Sequence, residues 1–97
     1  MGIHQGLNRL LAGVTRPLTP HEMIRGYVYI SQDPTVGDSL GSPFEVDVNG
    51  IIIEAKRLDV SGRVHILRKY LEPVGPPRTV TIRLAAPKRL EIKVAHR

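Results

Sequence analysis

Along the chain, the spacing of hydrophobic positions changes from helical to alternating. In residues 2–14, Ile3, Leu7, Leu10, Leu11 and Val14 recur at helical spacing, with His4, Gln5, Asn8 and Arg9 on the other side. This predicts an amphipathic helix within 1–14. Thr15-Arg16-Pro17-Leu18 interrupts it. Thr19-Pro20-His21-Glu22 then has the form of a capping box, with a hydroxyl at the N-cap, proline at the first helical position and Glu22 three residues after the cap. Because Gly26 and the β-favouring Tyr27-Val28-Tyr29-Ile30 follow at once, 15–26 reads as a linker with a short capped turn.

From residue 27 onward the period is two. Val28 and Ile30 alternate with Tyr27 and Tyr29, and Phe44, Val46 and Val48 with Glu45 and Asp47. Val80, Ile82 and Leu84 alternate with threonines and Arg83, and Leu90, Ile92 and Val94 with Glu91 and Lys93. Apolar runs at 51–58 and 63–69 bring the candidate strands to six. Residues 31–43, rich in Ser, Pro, Gly and Asp, read as a long exposed loop, and 70–78, with three prolines, as a stiffer connection. The expected fold is a single mainly β (α+β) domain over 1–97. It consists of an N-terminal amphipathic helix and, over 27–97, a curled antiparallel module of five or six strands, a small barrel or sandwich in up-and-down order.

Asn49-Gly50 sets a register, because a two-residue type I′ turn needs positive φ at both central positions. It places Val48 opposite Ile51, Val46 opposite Ile53 and Phe44 opposite Ala55, and on the other face Glu45 opposite Glu54, a like-charge pair that needs a cation nearby. Continuing through 58–63 sets Val64 against Arg57 and Ile66 against Ala55. Ile52, Leu58 and Leu67 then lie on the wet face, where an apolar contact has to cover them.

A chain of 97 residues hides about 60–65% of the surface its unfolded form exposes, which leaves a small core. The absence of cysteine excludes a disulfide framework and thiolate chemistry. No run reaches a membrane span and the start lacks a signal-peptide pattern, so a cytoplasmic location, or a virion if assembled there, is expected. Charge is segregated: 26–50 carries net −4 and 77–97 net +5, within an overall +5.

No catalytic constellation emerges. Gly37-Asp38-Ser39-Leu40 spells the nucleophile block of the GDSL hydrolases, but no Asp is followed three residues later by His, and the chain is too short for that fold. His21-Glu22-Met23-Ile24-Arg25 begins like a zinc-protease helix with Arg25 where the second histidine would stand. His4, His65 and His96 are scattered, so no metal or cofactor is expected. Asp59-Val60-Ser61-Gly62 reads as a β-turn.

The expected function is therefore non-enzymatic: a structural or accessory subunit of a larger, symmetric, virion-type assembly. Acidic Asp33, Asp38, Glu45 and Asp47 of one copy would meet basic Arg78, Arg83, Lys88, Arg89, Lys93 and Arg97 of a neighbour, with Ile52, Leu58 and Leu67 as apolar contacts. The partner is another protein or a second copy, with no membrane and no small-molecule substrate indicated. The alternative is a small-barrel nucleic-acid-binding module that uses the basic C-terminal hairpin against phosphates.

Overall fold

The computed structural model describes residues 5–97. Its elements are α1 (Gln5–Ala12), β1 (Val14–Pro17), α2 (Pro20–Arg25), β2 (Tyr27–Tyr29), α3 (Pro34–Leu40), β3 (Phe44–Val48), β4 (Ile51–Lys56), β5 (Arg63–His65), a 3-10 turn (Arg68–Tyr70), β6 (Arg78–Ala86) and β7 (Arg89–His96). Five strands form one mixed sheet in the order β1-β6-β7-β3-β4, and β2 pairs with β5 apart from it. The alternation in β3, β6 and β7 buries Phe44, Val46, Val48, Val80, Ile82, Leu84, Leu90, Ile92 and Val94. These join Leu10 of α1, Val28 of β2, Val36 and Leu40 of α3 and Val64 of β5 in one aliphatic core. Each such side chain contributes about 1.5–3 kcal/mol on burial.

The sheet is mainly antiparallel but does not close into a barrel, and its order is not up-and-down. β3 joins β7 in parallel, Val46 beside Leu90 and Val48 beside Ile92. Period-two alternation says which face a residue takes and nothing about which strand lies next to it, so this pairing left no trace in the sequence pattern. Asn49 extends it: its side-chain amide donates to the Val94 carbonyl at 3.0 Å and accepts from Val94 N at 2.8 Å.

The expected loop 31–43 contains α3. Asp33 caps it, accepting from Thr35 N at 3.0 Å, and Pro34 takes the first position. Val36 and Leu40, four apart, are fully buried. Pro, Thr, Val, Gly, Asp and Ser are all weak helix formers, so the helix depends on tertiary packing.

The expected linker 15–26 supplies an edge strand, since Val14–Pro17 pairs with β6. Gly13 at φ +103° turns the chain out of α1, and Val14 belongs to the sheet and not to the helix. The other expected helix positions Ile3 and His4 lie outside the described residues. The capping box forms as read. Thr19 Oγ1 accepts from Glu22 N, and the Glu22 carboxylate accepts from Thr19 N.

The Asn49-Gly50 turn has positive φ at both residues, and Val48–Ile51 and Val46–Ile53 are in register. Phe44 faces Lys56 and not Ala55, because Ala55 at φ +59° sits in a bulge. The bulge sets Glu54 and Ala55 together opposite Glu45, in place of the expected one-to-one Glu45–Glu54 pair. β5 leaves β4 for β2, where Tyr27 pairs with His65, Val28 with Val64 and Tyr29 with Arg63. In place of Val64–Arg57 and Ile66–Ala55, the segment after β4 meets β5 through an isolated Leu58–Val64 bridge.

Candidate functional site

One face of the five-stranded sheet covers the core, and the other is polar. On the polar face Arg83 Nε donates to Glu91 at 3.2 Å, and the Arg89 guanidinium reaches Glu45 at 2.9 Å. The expected contacts Arg89 and Glu45 thus satisfy each other within the chain, and Arg83 is paired with Glu91. Asp33 is spent on capping α3, and Asp47 accepts from Gly50 N at 2.7 Å in the turn, leaving Asp38 exposed on α3. Arg78 is half-buried and donates to the Val74 carbonyl. Lys88, Lys93 and Arg97 are exposed and form no ion pair among the described residues.

The three expected apolar contacts separate. Leu58 packs half-buried against the core, and Leu67, 59% exposed, follows β5, which pairs with β2 and not with β4. Ile52 lies on β4, an edge of the sheet, opposite Asp47. It is 43% exposed and its neighbour Ile51 54%. In a two-residue hairpin the residues flanking the turn form a hydrogen-bonded pair, so Val48 and Ile51 bond each other and Ile52 turns its N–H and C=O to the open edge.

A second concentration of chemistry lies where α2 ends against the β2–β5 pair. Two glycines bring these parts together. Gly26, left-handed at φ +75°, closes α2 and accepts from Ile66 N at 2.9 Å, and Gly62 at φ +80° turns the chain into β5. Asp59 organises that turn: its Oδ1 accepts from Ser61 N at 2.8 Å and Arg63 N at 3.0 Å. Its Oδ2 accepts from Arg63 Nε at 3.1 Å and His65 Nε2 at 2.8 Å. Partial burial pushes this carboxyl up, but the bonds from His65, Arg63 and Ser61 outweigh it and hold it at about 2.

Arg63 and His65 both pack against the buried Tyr27. The guanidinium carbon lies 4.8 Å from the Tyr27 ring centroid, and the His65 ring centroid 5.7 Å from it. His21 of α2 meets the same ring edge-on at 6.0 Å. Together with Arg25 these residues line an open groove of about 430 Å³. A neighbouring groove shares Arg25 and His65 and adds Lys56 and Arg68. The only sign of this cluster in the sequence was the six-residue interval between Asp59 and His65; its assembly required the β2–β5 pairing. Among the described residues no three His, Cys, Asp or Glu side chains converge as a metal site.

Behind β2 a polar knot fixes the approach of α2. Glu22, 3% exposed, takes a forked pair of bonds from Arg16 at 2.8 and 2.7 Å and accepts from Tyr29 N at 2.8 Å. Burial raises this carboxyl, yet the bonds from Arg16, Tyr29 N and Thr19 N leave it below its usual value. No protein-family model, curated protein or solved structure matches the chain.

Proposed function

We propose that the chain is a non-enzymatic structural subunit that joins a second copy of itself through the β4 edge. The observation that carries the reading is the exposed isoleucine edge: β4 has six residues, no proline, and two isoleucines more than 40% exposed. Proteins ordinarily blunt such an edge, since its unpaired N–H and C=O groups template another strand. The other edge, β1, is guarded; it has four residues and ends in Pro17, which has no N–H to offer.

The β4 sequence is complementary to itself. A two-fold axis through Ile52 pairs that residue with its mate in antiparallel fashion, and each can exchange both backbone bonds. The same axis sets Ile51 opposite Ile53 of the second copy, so the facing pairs are apolar on both sides of the sheet. Charge patches carry less of this reading than the sequence implied, because Arg89–Glu45 and Arg83–Glu91 close within one chain.

Sedimentation of the wild-type chain over a concentration series tests it. The expected result is reversible growth from the 10.8 kDa monomer to twice that mass, abolished by Ile52→Lys, which brings two like charges together at the axis while leaving the fold intact. A wild-type chain still monomeric at about 1 mM, or an Ile52→Lys variant that associates equally well, overturns the proposal.

A further inference from the structure

We propose that the groove around Tyr27, lined by His21, Arg25, Arg63 and His65, is a binding site for a phosphate group. The groove gathers surplus positive charge, whether or not β4 pairs with a second copy. Asp59 is the one carboxylate in the cluster, and its two oxygens already accept four hydrogen bonds. A turn-forming aspartate needs one cation at most. Here the fold also gathers a second arginine and two imidazoles around a single buried tyrosine, in one concavity of about 430 Å³.

The donors are held in place. Arg63 binds Asp59 through Nε, and its guanidinium lies over the Tyr27 ring. His65 is anchored through Nε2 to Asp59, and His21 is set against the edge of Tyr27. Arg25, exposed at the end of α2, forms no ion pair among the described residues. Planar guanidinium forks and imidazole groups lining one groove match a tetrahedral oxyanion, which takes several charge-assisted bonds at once. A stacking base fits less well, because Tyr27 is buried and Arg63 already lies over its ring. The adjoining groove with Lys56 and Arg68 gives a phosphate-bearing ligand room to continue.

The test is titration of the full chain with inorganic phosphate, a nucleoside monophosphate and a single-stranded oligonucleotide, read by NMR shifts of the histidine and tyrosine rings. Saturable shifts at His21, Tyr27 and His65, with affinity reduced about tenfold or more by Arg25→Gln and unchanged by Arg83→Gln on the far sheet face, support the site. Comparable affinity for phosphate and the monophosphate identifies a small-molecule source. Much tighter, steeply salt-dependent binding of the oligonucleotide, still lost in Arg25→Gln, identifies a nucleic-acid backbone as the source of the same group. No saturable shift at about 10 mM phosphate, or binding to any of the three that Arg25→Gln leaves intact, overturns the assignment.

Discussion

Replacing Gly62 by alanine should be among the most damaging single-methyl additions in the chain. A Cβ there would lie 2.3 Å from the Ser31 carbonyl oxygen, 2.5 Å from its carbon and 2.9 Å from Gln32 N. All three are backbone atoms, so no side chain can rotate away. The Gly62 carbonyl also accepts from Ile30 N at 2.8 Å and Ser31 N at 3.2 Å, and relieving the clash lengthens both bonds. Left-handed backbone at φ +80° costs a residue with a Cβ about 1–2 kcal/mol. Loss of two hydrogen bonds adds about 1 kcal/mol each, for a total of about 3–4 kcal/mol. At about 4–8 °C per kcal/mol, the melting temperature should fall by at least about 12 °C.

Gly50→Ala is the internal control. Gly50 is also left-handed, at φ +91°, but nothing stands within 4 Å of its Cβ position, so that variant should lose only about 1–2 kcal/mol. Calorimetry or urea unfolding of the two variants beside wild type decides the matter. Equal melting shifts would refute the close approach of the β4–β5 turn to the segment after β2, and with it the placement of Arg63 and His65 beside Tyr27.

Other outcomes follow from the same geometry. Gly37→Ala, inside α3 with open space around it, should stabilise the protein by about 0.5–1 kcal/mol in urea unfolding; no gain would argue that 34–40 is not helical. Glu22→Gln should cost about 3 kcal/mol by leaving the Arg16 guanidinium without its carboxylate, and a change below about 1 kcal/mol would remove that knot from the account of stability. The depressed Asp59 carboxyl contributes stability that is complete above about pH 4 and is lost as pH falls toward about 2. The loss, discounted for solvent screening, is about 1–2 kcal/mol. Asp59→Asn should flatten that part of the pH–stability curve, and an unchanged curve would mean the carboxylate is not so held.

What could be read in advance, and what could not, divides along the range of the interactions involved. The Thr19 capping box, the Asn49-Gly50 turn and the buried faces of β3, β6 and β7 depend on neighbours a few residues apart, and each was visible in the residue pattern. The parallel β3–β7 pairing, the β2–β5 pair and α3 depend on contacts between distant segments. For α3 the local signals were contradictory. Asp33-Pro34 is a good helix start, but Gly37, Asp38 and Ser39 favour a turn, and only the burial of Val36 and Leu40 against the sheet decides for helix. The charged residues show the same division. Segregation of acidic and basic residues along the chain suggested complementary surfaces on different copies, yet parallel pairing of β3 with β7 lays the acidic and basic segments side by side, so that Glu45 meets Arg89 at home. Basic residues left over from such pairing carry more information than the total. Arg25 and the pair of histidines at Tyr27 come from α2 and β5, segments whose charge is unremarkable one at a time, and only the β2–β5 register concentrates them. That is why the net charge of the C-terminal hairpin pointed to one surface and the fold points to another.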